Sequence, residues 1–357
     1  MNSNDSGEEM SKKILSIIVP AYNMEKYLPK CLGSLIVTSE LMPRLEVIVV
    51  NDGSKDRTKE IADDFVRKWP GTFKVITKVN GHYGSCINAA LSIVEGKFVK
   101  ILDADDWFET QNFANYIKWL TTLQFRYADE IDLILSDYDC INEKGQDTGK
   151  IRQGLPSGEI LTLKELVMRK DITFMHGFTY RTEMVRSIGY RQTEGIAYTD
   201  SEWIFEPAAF AQTILYYPHV IYKYLFGREG QSVDPSVQKR CINQLEQVAL
   251  SVLNRYETRK EILSVDGCAY MIKLALRQVR LAYEQFLYCV SLREGVVNII
   301  RFDNLVQESS RDVSSRIQSW KIPNKVGIPW IVVMRRFRFL VCGIILFARC
   351  YRFLRCL

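Results

Sequence analysis

A repeated alternation of short apolar runs and helical stretches, with each run ending in polar residues, constrains this chain most. Ile14–Val19 (ILSIIV) and Leu45–Val50 (LEVIVV) are almost wholly apolar and rich in branched residues. That pattern marks strands buried on both faces. Phe73–Val79, Phe98–Leu102 and Ile131–Ser136 (IDLILS) read as further strands. Helices are predicted between them. In Glu25–Ile36, Leu28, Leu32, Leu35 and Ile36 recur at helical spacing; Ser54 or Asp56 caps a helix running to Trp69; Gly96 stops a helix over Gly84–Glu95; Asn112–Phe125 is the fourth. Repeated β-α-β units predict an α/β fold: a mainly parallel, Rossmann-like sheet with helices on both faces. Sites in such sheets lie beyond the carboxyl ends of the strands. The residues there are PAYN, NDGS, NGHYGS and DADD, so four strand ends direct polar groups toward one crevice.

The 357 residues exceed one ordinary core and predict about two domains. Residues 140–232 mix short strands and helices. From about 236 to 310 the sequence turns helical, with periodic apolar faces and few Gly or Pro. Pro323 and Pro329 precede a distinct tail. The expected organisation is a frayed polar N-terminus at 1–12, an α/β catalytic domain at 13–232, a helical subdomain at 233–322 and a tail at 323–357. MNSNDSGEEMSKK lacks the character of a signal peptide. Nine cysteines without a CxxC pair cannot all be bridged and indicate a reducing, cytoplasmic compartment.

The net charge of +5 sits in the tail: residues 325–357 hold Lys325 and six arginines and no acid, leaving 40 basic against 42 acidic residues elsewhere. A near-neutral body argues against a nucleic-acid partner. The tail's longest uncharged apolar run, Phe339–Ala348, has ten residues, too few to span a bilayer. Lengthening it would bury arginines at about 2.5–3.5 kcal/mol each. A basic amphipathic helix lying on an anionic membrane surface is expected. The alternative is a helix packed on the body or on another subunit.

Three carboxylates within four positions, Asp103, Asp105 and Asp106, repel one another. A divalent cation relieves that conflict, and Mg²⁺ or Mn²⁺ held by carboxylates suits a metal–diphosphate. The alternative is a solvated turn in which Asp105 or Asp106 caps the next helix. Neither GxGxxG nor GxxxxGK[ST] follows the first strand. Tyr22 instead offers a ring for base stacking, and Asp52 an acceptor for a base or ribose.

SIIVPAYNMEKYLPKCLGSL, LEVIVVNDGSKDRTKEIADDF and NGHYGSCINAAL–GKFVKILDADDW closely resemble the family 2 glycosyltransferases of the glycosyltransferase-A fold. The likeness is strong over 14–110 and weaker to about 232. It implies a nucleotide-sugar donor, usually a UDP-sugar, bound with Mn²⁺ or Mg²⁺. By that resemblance Tyr22 stacks the base, with Pro20, Asn23 and Glu25 around it, and Asp52 contacts the uracil. Asp103 and Asp105 face the uridine and ribose, and Asp105 and Asp106 hold the metal. Gly84 and Asn88 match a third motif, which often carries a basic residue where this chain has Ile87.

The same resemblance implies a general base from the Asp of a Glu-Asp pair. FTYRTEMVRSIGYRQTEGIAYTDSEWIFEPAAF, residues 178–210, has the right context, with Thr199–Asp200 in place of that pair. Asp200 is the expected base and Glu202 the second choice; a helix N-cap is the structural alternative for Asp200. Arg228, in YLFGREGQSV, is expected to reach the diphosphate. His176 either lines the acceptor side or is structural. The implied enzyme is an inverting, metal-dependent transferase acting on a glycan or lipid-linked acceptor at the cytoplasmic membrane face, in bacterial polysaccharide assembly. The rival readings are a non-catalytic binding or scaffold protein and a nucleotidyltransferase.

Overall fold

The computed structural model describes residues 13–127, 130–169, 174–228, 231, 237, 241–322 and 328–356. The expected frayed segment 1–12, the 232/233 boundary, Pro323 and Lys325 lie outside them. The chain divides into two compact units, Met1–Glu229 and Gly230–Leu357.

The first unit is built on a nine-stranded sheet. Its strands are β1 (Leu15–Ala21), β2 (Leu45–Asn51), β3 (Phe73–Thr77), β4 (Phe98–Ile101), β5 (Trp107–Phe108), β6 (Leu133–Ile141), β7 (Asp147–Ile151), β8 (Phe178–Arg181) and β9 (Ile214–Leu225). Their order is β3-β2-β1-β4-β8-β6-β9-β5, with β7 paired to β6. β1 runs parallel to β2 and β4, β2 to β3, and β6 to β9. β8 is antiparallel to both β4 and β6, and β5 to β9. The register pairs Ala21 with Asn51 and Ile18 with Ile101, so β1, β2 and β4 deliver their carboxyl ends to one edge.

Burial explains the strands. Ile17, Val19, Val47 and Val49 join Leu28, Leu32, Phe113, Ile117 and Tyr222 in a continuous core. The apolar pattern of β2 hides a buried charge. Glu46, in β2, is fully enclosed and accepts from Lys74 Nζ (2.8 Å), the Glu95 amide (2.9 Å) and the Ser16 hydroxyl. Ser16 Oγ also accepts from the Gly96 amide (2.9 Å). These bonds satisfy polar groups that would otherwise cost several kcal/mol. They also bring Gly96 against β1: a Cβ there would lie 2.6 Å from the Ser16 amide nitrogen.

The first predicted helix is shorter than its apolar spacing suggests, Leu28–Gly33. The Glu25 amide is drawn to Asp56 Oδ2 (3.0 Å) instead, and Pro29 sits in the first turn, where its missing N–H costs nothing. Asp56, rather than Ser54, serves the next helix, Thr58–Lys68, by accepting from the Thr58 amide (3.0 Å). The following helices are His82–Leu91, Thr110–Tyr127 and Asp200–Phe210. Neither Asp105 nor Asp106 caps Thr110–Tyr127. Glu109 does, accepting from the Asn112 amide (2.8 Å).

The second unit is helical. Its longer helices are Ile242–Arg259, Val265–Tyr288, Leu292–Ser309 and Val341–Cys356. Tyr270, Leu274, Phe286, Ile299, Phe302 and Val306 are buried within it. The tail packs here through Ile331, Met334, Val341, Ile345 and Ala348. Arg335 is paired with Asp303 (2.9 Å), and Arg349 donates to the carbonyls of Leu287 (2.7 Å) and Val290 (2.6 Å). Two arginines thus turn inward. Arg336, Arg338 and Arg352 stay exposed beside Phe339 and Phe347. Among the described residues, no helix is long and apolar enough to cross a membrane.

Gly96→Ala is expected to destabilise the first unit by about 1–3 kcal/mol through overpacking against β1. Urea unfolding monitored by circular dichroism measures this.

Candidate active site

The turn after β4 carries Asp103, Asp105 and Asp106, and each carboxylate has its own tether. Asp106 is almost fully buried; Oδ2 accepts from the Tyr222 hydroxyl (2.6 Å) and Oδ1 from the Leu225 amide (2.7 Å). These bonds fasten the turn to β9. Asp105 Oδ2 accepts from Arg228 Nε (2.5 Å), and that guanidinium also lies over the Tyr27 ring. Asp103 accepts from the Tyr83 hydroxyl (2.9 Å), and its amide donates to the Tyr222 hydroxyl (3.2 Å).

Crowding shows in their acidity. Burial and the Asp105 charge push Asp103 up to about 7. Burial, then Asp105 and Asp103, raises Asp106 strongly. Behind the turn, burial lowers Lys100 to about 7, while its Nζ donates to the carbonyls of His176 (2.6 Å) and Phe178 (3.0 Å). Burial and Lys100 lower His176 to about 3, so its ring is neutral. That ring lies among Tyr138, Tyr222 and Tyr224, and its buried Nδ1 has no partner. Ligand atoms of Asp103, Asp106 and His176 lie within 4.8 Å of one another. Hard carboxylate oxygens and an orphaned imidazole nitrogen fit a divalent cation. Asp105 and Asp106 were the expected metal pair. Here Asp106 groups with Asp103 and His176, while Asp105 is engaged by Arg228.

Asp200 opens the helix Asp200–Phe210, with Thr199 as its N-cap residue and no side-chain cap bond. The N-cap alternative for Asp200 therefore fails. Its charge helps raise Asp103 and also, after burial and nearer carboxylates, Tyr83 and Tyr224. Asp200 is thus in electrostatic reach of the acidic turn. Glu202, the second choice as base, is fully buried and accepts from the Thr193 amide and hydroxyl, both 2.7 Å. It is a structural acceptor.

On the first two strand ends, Tyr22 is half exposed and Pro20 partly buried. Asn23 and Glu25 are spent on the neighbouring loop: Asn23 Oδ1 accepts from the Lys55 amide (2.8 Å) and Glu25 Oε2 from the Arg57 amide (3.0 Å). Asp52 Oδ1 accepts from Lys78 Nζ (2.7 Å) and the Gly81 amide (3.0 Å). Lys78 also donates to Ser85 Oγ (2.8 Å). The helix start His82–Ser85 thereby joins the Asp52 corner to Asp103 through Tyr83. Gly84 and Asn88 face the segment 192–194.

Tyr83, Tyr222, Lys78 and Lys100 were not singled out from the sequence. Tyr83 stood inside the quoted NGHYGS, a usable signal; Tyr222 and Lys100 lie in strands whose pattern says only "core".

Residues 16–150 match the model of the Glycosyl transferase family 2. This is a family 2 glycosyltransferase domain. The putative glycosyltransferase EpsH of Bacillus subtilis is 33% identical over 141 residues, 40% of this chain and 37% of that protein. The minor teichoic acid biosynthesis protein GgaB of Bacillus subtilis is 30% identical over 119 residues, 33% of this chain and 13% of that protein. The matched stretch spans at most about two fifths of these relatives' length. In fold, the chain is similar to S. aureus TarS 1–349, solved in complex with UDP-GlcNAc, with a TM-score of 0.61 at 21% identity over 86% of this chain and 84% of that one. The glycosyltransferase domain therefore has the glycosyltransferase-A fold, extended here by the helical unit.

A raised carboxyl favours the folded protein at low pH: the stability it contributes is full below its ordinary value near 4 and is lost as pH rises toward about 7. In EDTA, Asp103→Asn should therefore flatten the fall in Tm between pH 4 and 7 relative to the parent. His176, neutral when folded, pulls the other way between about 3 and 6.5 in both proteins and cancels in the comparison. Differential scanning fluorimetry across pH checks this.

Proposed function

We propose that the chain transfers a sugar from a nucleotide-sugar, of the UDP-sugar class, to a hydroxyl of a glycan or lipid-linked acceptor, with inversion at the anomeric carbon. The observation that carries this reading is the meeting of Asp103, Asp105 and Asp106 with the field of Asp200 beside the carboxyl ends of β1, β2 and β4. Tyr22 stacks the base, and Asp52, held by Lys78, accepts its N–H. The turn Asp103–Asp106, with His176 behind it, would hold the cation. A bound Mn²⁺ or Mg²⁺ would offset charge developing on the leaving diphosphate.

Arg228 exchanges Asp105 for diphosphate oxygens when donor arrives. Asp200 accepts the proton of the acceptor hydroxyl as that oxygen bonds the anomeric carbon. The bond to the diphosphate oxygen breaks on the opposite face, which inverts the centre. Since GgaB is named for minor teichoic acid biosynthesis, we take a cell-surface glycan as the acceptor class.

The tail supports a place at the cytoplasmic face of a membrane. Its outward side joins Arg336, Arg338 and Arg352 to Phe339, Leu346 and Phe347, and residues 325–357 contain no carboxylate side chain. That composition suits anionic headgroups.

UDP release from a panel of UDP-sugars with Mn²⁺, with and without a membrane lipid extract, should be abolished by EDTA. Asp200→Asn should lower it about 10²–10⁴-fold with Tm preserved. Full acceptor-dependent turnover by Asp200→Asn would remove the base. Asp103→Asn is the cleaner probe of the cation, because Asp106 also ties the turn to β9 and Asp105 is paired with Arg228. Separately, the full chain should float with phosphatidylglycerol vesicles. Arg336→Glu with Arg338→Glu should weaken binding by roughly 2 kcal/mol or more, about 30-fold. Equal flotation of that variant would rule out the anionic-surface reading.

A further inference from the structure

Gly84 and Asn88 belong to the donor-side helix His82–Leu91, yet their contacts run toward the base. Asn88 Nδ2 donates to the Gln192 carbonyl (2.8 Å) and to Glu194 Oε1 (2.7 Å), while Asn88 Oδ1 accepts from the Gln192 amide (2.8 Å). One side-chain amide thus pairs with the main chain at 192 as a neighbouring strand would. Gln192 Nε2 in turn donates to the Thr199 carbonyl (2.5 Å) and hydroxyl (3.1 Å). Thr193 is held by both oxygens of buried Glu202. The residues flanking Asp200, Thr199 before and Glu202 after, are therefore tied to two consecutive residues, and Asn88 grips one of them.

Gly84 completes the arrangement. A Cβ there would lie 2.0 Å from the Thr193 carbonyl oxygen, so only glycine admits the segment this close. The Gly195 amide adds a bond to the Gly81 carbonyl (2.9 Å), and Gly195 and Tyr198 take left-handed conformations that fold the intervening loop. Gln192, Thr199 and Glu202 are all almost completely buried, which makes the linkage stiff.

We infer that Asn88, Gln192 and Glu202 are positioning residues that set Asp200 against the donor site, and that Gly84 and Asn88 serve this clamp rather than the donor itself. The inference rests on Asp200 as the base. It couples the two halves of the site: the helix whose start carries Tyr83 to Asp103 also fixes, one turn later, the loop before Asp200. A base displaced by about an ångström loses alignment with the acceptor hydroxyl without disturbing nucleotide binding.

The test uses Asn88→Ala and the conservative Glu202→Gln in the full chain. Asn88 is a partly exposed helix position, so alanine is tolerated there. UDP affinity with Mn²⁺, by calorimetry, should stay within about twofold of the parent, while kcat for UDP release falls roughly tenfold or more and donor KM is unchanged. Amide exchange at residues 192–193 should rise in both variants, with Glu202→Gln closer to the parent. A tenfold loss of UDP affinity in Asn88→Ala with residues 192–193 still protected would assign Asn88 to the donor and overturn the clamp. Lost protection with unchanged kcat would overturn it equally. Activity retained in Asp200→Asn would instead remove the base, a separate failure.

Discussion

Like-charge crowding at the end of β4 is the constraint around which the catalytic unit is arranged. Three carboxylates in one turn would spring apart or take up protons if left alone in a low-dielectric setting. The unit answers with separate restraints: Tyr222 and the Leu225 amide on Asp106, Arg228 on Asp105, Tyr83 on Asp103. The restraints on Asp106 and Asp105 come from one stretch, residues 222–228, and the restraint on Asp103 from the helix His82–Leu91. β9 must return beside β6 to bring Tyr222 and Leu225 into reach, and the helix His82–Leu91 must start where Tyr83 can cover the turn. β9 also pairs with β5, the strand that directly follows the turn.

That arrangement has a chemical use. On the proposed reading, carboxylates held this close and desolvated suit a cation and the sugar diphosphate it accompanies. The charge of Asp200, at the start of a separate helix, reaches the same cluster. Lys100 and His176 sit behind the turn; Lys100 holds the backbone at Met175–Gly177, and His176 adds a neutral imidazole to the acidic group. The polar tethers of Asp52 by Lys78 and of Gln192 by Asn88 show the same economy. Lys78 fixes the Asp52 carboxylate, and Asn88 fixes the main chain at Gln192.

Much of this was visible in the sequence. The strands announced themselves because they are buried on both faces, and burial leaves an apolar run whatever the partner. The polar strand ends announced the crevice because parallel strands place their carboxyl ends together. Prediction faltered where a local signal had two physical meanings. Asn23 and Glu25, expected around the base, also accept from loop amides at 55 and 57, a role that the sequence does not announce. Glu202 looks like a spare base two residues from Asp200, but it is a buried acceptor for Thr193. The tail reads as a basic amphipathic helix, yet two of its arginines are drawn inward by Asp303 and by the carbonyls of Leu287 and Val290.

Periodicity and neighbours within a few residues were enough to read β1–β4 and β6, the acidic turn, the helical second half and the family likeness. Which tyrosine covers the acidic turn, which histidine joins it, and which helix grips the loop before Asp200 emerge from the fold alone. Those pairings span 20 to more than 100 residues of chain. They are chosen by sheet order and by the demand that every buried polar group find a partner, and no local pattern records either.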